Sequence, residues 1–85
     1  MTRTEIQRFA DHLTNATTFV AIFGALNGMP VKDKKDALSK AYRRLAMSIH
    51  PDRVPETDRA LAGPVFTHLG ALRDAAEKAI DAGIY

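Results

Sequence analysis

The sequence predicts an all-α protein built around an antiparallel pair of long helices. Apolar residues recur at three- and four-residue steps through most of the chain, which is the spacing that places them on one face of a helix. No segment shows the alternation of apolar and polar residues that is typical of a half-buried strand. With 85 residues, the chain is long enough for one domain at most, so its core must be small.

Composition narrows the class of protein further. The chain has no cysteine, which excludes a disulfide framework and a Cys-ligated zinc site. Its formal net charge is +2 at pH 7. The longest nearly apolar stretch, residues 19–26, is far shorter than the roughly 20 residues that a membrane helix needs. The sequence also has no recognisable signal peptide. We therefore expect a soluble, cytoplasmic protein that does not bind membranes.

Two elements are predicted in the first third of the chain. The apolar stripe after Thr4 predicts a helix over about residues 4–14, with Thr2 or Thr4 available as its N-cap. A short apolar helix is predicted over about residues 18–26, and the sequence leaves open whether it is continuous with the first. A loop is predicted over residues 27–30, because this segment is rich in turn-forming residues.

Two long amphipathic helices are predicted over about residues 31–49 and 64–81. Pro51 lacks an amide hydrogen and disfavours helical geometry at His50, so the earlier helix should end just before them. We expect the later helix to begin at Pro64, because Gly-Pro breaks helices and proline is a favourable first helical residue. The intervening residues should be irregular or form short helical turns, and the two long helices can lie antiparallel.

Basic residues concentrate in the 31–49 helix and immediately after it. They are Lys32, Lys34, Lys35, Lys40, Arg43, Arg44 and Arg53. This segment is a candidate docking surface for an acidic partner.

His50-Pro51-Asp52 lies on the loop that follows the helix. A stiff proline beside Asp52 can hold its carboxylate ready to accept a bidentate hydrogen bond from a partner's arginine.

The segment Lys40-Ala41-Tyr42-Arg43-Arg44-Leu45-Ala46-Met47, followed two positions later by His50-Pro51-Asp52-Arg53, strongly resembles the second helix and loop of the J-domain family. Residues 19–25, Phe-Val-Ala-Ile-Phe-Gly-Ala, are similar to the family's short first helix. Phe66, Leu69 and Leu72 are similar to the core stripe of its third helix. The resemblance covers about residues 18–80. It divides the chain into an N-terminal helical extension, residues 1–17, and a J-domain-like module, residues 18–85.

This resemblance implies a co-chaperone module, without enzymatic activity, that docks on a seventy-kilodalton heat-shock (DnaK-type) chaperone and stimulates its ATPase. Asp52 would engage an arginine of the chaperone near its nucleotide-binding lobe and linker. Lys40, Arg43 and Arg44 would steer the module towards an acidic surface. The implied partner-binding residues are His50, Pro51, Asp52, Arg53, Lys40, Tyr42, Arg43, Arg44 and Met47.

Some positions depart from the family pattern. Ser39 and Ile49 stand where a basic and an aromatic residue are common, and Pro64 falls early in the third helix.

The alternative function is a J-like scaffold whose basic helix binds nucleic acid or another acidic protein. We expect a monomer with no cofactor. We also expect no metal site, because His12 and His68 lack a second ligand at metal-binding spacing.

Overall fold

A computed structural model describes residues 2–85, and this part of the chain contains helices and turns but no strand. The α-helices are α1 (Arg3–Asn15), α2 (Val20–Phe23), α3 (Val31–Ile49) and α4 (Arg59–Asp81). Two short 3₁₀ turns, Pro51–Arg53 and Glu56–Asp58, connect α3 to α4. The predicted all-α class is confirmed. Among the described residues, none of the helices combines the length and the apolar character needed to cross a membrane.

Helix α1 begins after Thr2, one of the two N-cap residues that the sequence offered. The Thr2 hydroxyl accepts a hydrogen bond from the Glu5 amide, and the Glu5 carboxylate accepts one from the Thr2 amide, each at 3.2 Å. These two bonds form a capping box, which satisfies amides that the first turn leaves without partners. The hydrogen bond from the Thr2 backbone lowers the pKa of the Glu5 carboxyl.

Helix α2 is a separate helix from α1 and is shorter than predicted. It covers Val20–Phe23 rather than residues 18–26, because Gly24 takes a positive φ of 97° that ends the helix. Nε2 of His12 on α1 lies 2.9 Å from the carbonyl oxygen of Ala21. Since a carbonyl can only accept, Nε2 must carry the proton in this bond. The contact joins the two short helices.

Helices α3 and α4 form the antiparallel pair that the sequence predicted, and α3 has the predicted bounds. Lys35 near the start of α3 lies 2.7 Å from Asp81 at the end of α4, so the two helices run in opposite directions. Their facing stripes supply most of the core, and α1 packs against α4. The largest completely buried side chains are Ile6, Leu38, Ile49, Leu69 and Ile80.

The prediction that the last helix begins at Pro64 was wrong. Helix α4 begins at Arg59, and Pro64 lies within its second turn. Gly63 explains how the helix passes through this proline, because it lacks the Cβ atom that normally clashes with the proline ring and disfavours helical geometry at the preceding residue. Ala62 and Val65 are buried on either side, so packing also holds the turn in place.

Tyr85 fastens the end of α4 to the loop after α2. Its hydroxyl donates a 2.7 Å hydrogen bond to the carbonyl of Gly24, and its ring centroid lies 5.5 Å from that of Phe19. Lys34 of α3 donates a 2.7 Å hydrogen bond to the backbone oxygen of Tyr85. Burial raises the pKa of the Tyr85 phenol. The base of the helical pair is therefore held by Tyr85 and the Lys35–Asp81 ion pair, which we call the basal clamp.

We expect the protein to lose stability at alkaline pH, and Tyr85→Phe to reduce that loss. A group whose pKa is higher in the folded state stabilises the fold fully below its unfolded pKa, and this contribution disappears as the pH rises through the folded value. For a tyrosine that window opens at about pH 10. Urea unfolding at about pH 8 and about pH 11 measures the loss. The matched variant Tyr42→Phe keeps Tyr85 and should keep the loss, whereas equal losses in the Tyr85→Phe and wild-type proteins would contradict this account.

Candidate functional site

The residues His50-Pro51-Asp52 form a hydrogen-bonded turn at the tip of the helical pair, opposite the basal clamp. Helix α3 ends at Ile49, and His50 takes φ −57° and ψ 138°, the extended geometry expected for a residue before proline. A 3₁₀ turn over Pro51–Arg53 follows directly, with the Arg53 amide donating a 2.8 Å hydrogen bond to the His50 carbonyl. The triad thus lies outside α3, as Pro51 predicted, but is more regular than a loop.

The imidazole of His50 holds this turn together. Its Nδ1 accepts a 3.2 Å hydrogen bond from the Asp52 amide, so in the neutral ring the proton must be on Nε2. The ring also packs against Phe66 of α4 at a centroid distance of 5.7 Å and an interplanar angle of 89°. His50 therefore links the backbone of Asp52 to the side of α4.

The carboxylate of Asp52 is presented to solvent, because its side chain is 86% exposed. Its Oδ2 lies 3.6 Å from Nδ1 of His50, which is longer than a hydrogen bond. Since Nδ1 already accepts from the Asp52 amide, we interpret this approach as proximity rather than as an ion pair. The position of the carboxylate is compatible with bidentate recognition by an arginine.

A groove of about 270 Å³ runs from this turn along the boundary between α3 and α4. On one side it is lined by Ser39, Tyr42, Arg43, Ala46 and Met47 of α3 and by His50 of the turn. The five helical positions are spaced so that they share one face of α3. The groove therefore brings together four of the predicted partner-binding residues, Tyr42, Arg43, Met47 and His50.

Helix α4 contributes Phe66 and Arg73 to the groove. The guanidinium carbon of Arg73 lies 4.4 Å from the centre of the Tyr42 ring, which is a cation–π contact. Phe66, which the sequence placed in the core stripe, is half-buried: it packs against the core cluster and also lines the groove. Arg73 was not predicted as a site residue. Its contact with Tyr42 depends on how α3 and α4 align, and no local motif contains that information.

The basic segment does not form one uniform surface. Lys34 and Lys35 bind the Tyr85 backbone oxygen and Asp81 at the basal clamp, away from the turn. The other basic residues predicted at the site are exposed nearer the tip: Lys40, Arg43, Arg44 and Arg53. Lys40 borders a second, shallow depression that also contains Asp33 and Asp36. Lys32 is exposed at the start of α3, beside Asp33 in the sequence. The basic residues near the triad therefore form a positive surface separate from that at the base.

The isolated histidines lie apart from this site. His12 contacts α2, and His68 is exposed on α4. Within residues 2–85, no three histidine, aspartate or glutamate side chains come together as a metal site.

Comparisons of the chain with protein-family models, curated proteins and solved structures gave no match.

Proposed function

We propose that this chain is a J-domain-like co-chaperone module that docks on a DnaK-type chaperone of about seventy kilodaltons and stimulates its ATPase. The observation that carries the proposal is the hydrogen-bonded His50-Pro51-Asp52 turn, with its exposed carboxylate, at the end of a basic helix. The residues that resemble the J-domain family occupy α3 and this turn. An antiparallel helical pair with the triad at its tip supports the same interpretation.

The turn is suited to docking because its geometry exists before the partner arrives. The bond from the Asp52 amide to His50 fixes the backbone that carries the carboxylate. A contact that is already ordered loses less conformational entropy on binding than a mobile loop would. His50 is thus assigned a positioning role, and Asp52 the direct contact with a chaperone arginine.

The exposed basic residues near the tip would act before this contact forms. Lys40, Arg43 and Arg44 face solvent on α3, where positive charge accelerates the encounter with an acidic surface. Individually, such exposed charges contribute little to final affinity. Their removal should lower the association rate, and the effect should shrink as salt is added.

Single-turnover hydrolysis of ATP by a DnaK-type chaperone tests the proposal. Adding the 85-residue chain should accelerate hydrolysis in a saturable manner, and the concentration for half-maximal stimulation should rise with salt. The chaperone alone gives the basal rate. Absence of stimulation across a panel of DnaK-type chaperones would contradict the proposed function.

The exposed cations near the tip also support the alternative, binding of nucleic acid or of another acidic protein. Fluorescence anisotropy with a labelled duplex separates the nucleic-acid function from the first. A nucleic-acid binder loses affinity steeply as salt rises, because binding releases counterions, and it should tolerate Asp52→Asn or bind slightly better.

A further inference from the structure

The base of the molecule exposes apolar surface that the proposed function does not use. Within residues 2–85 five large apolar side chains are exposed, and all but Met47 lie towards the base: Val20, Met29, Val31 and Ile84. Ile84 is the most exposed of them, at 80%. It lies between the end of α4 and Tyr85 of the basal clamp. Exposed apolar residues that gather on one part of a surface are a sign of contact with another molecule.

A pocket of about 260 Å³ lies beside the clamp, where the connection between α1 and α2 meets α4. Six of the described residues line it and none of them is charged: Ala16, Thr17, Thr18, Phe19, Ile22 and Leu72. Phe19, Ile22 and Leu72 are half-buried against the core, whereas the two threonines are exposed. This pocket, which we call the Phe19 pocket, therefore has apolar walls and a polar edge. It suits an uncharged aliphatic side chain.

Ile84 and the Phe19 pocket lie close together on the surface. The Phe19 ring, one wall of the pocket, packs on the Tyr85 ring at a centroid distance of 5.5 Å, and Ile84 directly precedes Tyr85. The Ile84 amide donates a 3.0 Å hydrogen bond to the Ala79 carbonyl, which fixes the backbone that carries the side chain. In this position the side chain does not enter the pocket of its own chain and remains in solvent.

We infer that two copies of this chain associate about a two-fold axis at the base, with Ile84 of each copy inserted into the Phe19 pocket of the other. In a two-fold interface every contact occurs twice, so the inserted side chain and the pocket that receives it must lie on one face of the molecule. Ile84 and the pocket meet this condition. The inference does not depend on the proposed function, because the triad lies at the other end of each copy.

A second copy is the occupant that the chemistry of both features favours. A nucleic acid or a strongly charged protein segment finds no opposite charge in the uncharged pocket, and Lys34 and Lys35 already bind the Tyr85 backbone and Asp81. An unrelated apolar partner could fill the pocket but would leave Ile84 in water. A second copy covers both features, and each copy gains the same apolar burial.

The dimer should be weak, because two inserted isoleucines form a small interface. Stable complexes bury about 1,200–2,000 Å² of surface in total. We therefore expect a dissociation constant on the order of 0.1–1 mM. The chain should be a monomer at low micromolar concentration, in keeping with the expectation from the sequence, and should dimerise when concentrated.

Translational diffusion measured by NMR tests the dimer with the 85-residue chain alone. Diffusion should slow as the concentration rises from about 20 μM to about 2 mM, a range that spans the expected dissociation constant. Ile84→Asn should raise this constant at least about tenfold, because it removes an apolar side chain from both halves of the interface. The variant then gives the diffusion of the monomer at each concentration. Met47→Asn makes a comparable change at an exposed position far from the base and should leave the constant unchanged.

Disulfide trapping tests the contact directly, since the chain has no cysteine of its own. A tagged Thr17→Cys chain mixed with an untagged Ile84→Cys chain should form a mixed disulfide on oxidation, because residues 17 and 84 of the two copies meet at the edge of the pocket. In the control, Gln7→Cys replaces Thr17→Cys at an exposed position of α1 outside the pocket, and it should trap little of the Ile84→Cys chain. Nonreducing electrophoresis separates the mixed species by size.

Three results would overturn the inference about the base. They are equal diffusion of the wild type and Ile84→Asn at the highest concentration, equal weakening by Ile84→Asn and Met47→Asn, and equal trapping of the Ile84→Cys chain by Thr17→Cys and Gln7→Cys. Because Ile84 is exposed, its variants should remain folded, and circular dichroism checks this. If Ile84→Asn does not fold, the concentration dependence of wild-type diffusion and the trapping experiment still decide.

Discussion

Asp52→Asn should abolish the stimulation of ATP hydrolysis by a DnaK-type chaperone. The substitution keeps the shape of the side chain and removes the charge that would receive an arginine. Disrupting one partner of a buried, hydrogen-bonded charge pair at an interface costs about 2–5 kcal/mol, which is about 30-fold or more in the affinity of the productive complex. The measurement is single-turnover hydrolysis at a chain concentration that saturates the wild-type response.

The structure makes this variant a clean test of contact. The turn depends on the backbone amide of residue 52 and the His50 ring, and neither is changed by the substitution. Because the Asp52 side chain is 86% exposed, stability should change by less than about 0.5 kcal/mol. Asp11→Asn removes the same charge from an exposed position on α1 and should leave stimulation intact. Full stimulation by Asp52→Asn would place the decisive contact elsewhere.

Ile6→Asp should unfold most of the protein. Ile6 lies on α1 with 0% of its surface exposed, within the core cluster formed with α3 and α4. The change introduces a buried charge and removes apolar volume, for which about 4 kcal/mol or more is expected. A small domain has only about 5–15 kcal/mol of stability in total. Circular dichroism during thermal unfolding should show a weakened helical signal at 25 °C or a much lower Tm.

Gln7→Asp is the control for this experiment, since it places the same residue at the adjacent exposed position of α1. It should change stability by no more than about 0.5 kcal/mol. The division of the chain into residues 1–17 and 18–85 remains a prediction, and this comparison tests it. If α1 is a dispensable extension, Ile6→Asp should melt α1 alone and leave a cooperative transition for the rest. Loss of the whole transition would show that α1 belongs to the folding unit.

The sequence could predict those parts of the fold that local chemistry decides. Thr2 and Thr4 were both candidates for the N-cap of α1, and the structure selects Thr2, whose capping box involves residues three apart. Pro51 identified the end of α3, because its effect falls on the residue before it. The start of α4 could not be predicted in the same way. Passage through Pro64 is helped by Gly63, which the sequence contains, but it also depends on the burial of Ala62 and Val65, which only the packed structure provides.

The residues of the candidate site likewise fall into those that the local sequence predicts and those that only the packed structure brings together. The triad and the exposed basic residues follow from neighbouring positions in the sequence, and the structure places Tyr42, Arg43, Met47 and His50 beside one groove. Arg73 joins them from 31 positions beyond Tyr42. The engagement of Lys34 and Lys35 at the basal clamp likewise depends on where α4 and Tyr85 end. Side-chain pairs between distant segments need the alignment of the two helices.

Because the basal clamp lies far from the triad, substitutions can change the stability of this protein and its partner recognition separately. The molecule is 42 Å long, and the clamp of Tyr85 and the Lys35–Asp81 ion pair lies at the end opposite the triad. Substitutions at the tip can alter the choice of partner without disturbing those contacts, and substitutions at the base can adjust stability without altering recognition. Selection or engineering can therefore act on the two properties largely independently, because changes at sites far apart are usually additive.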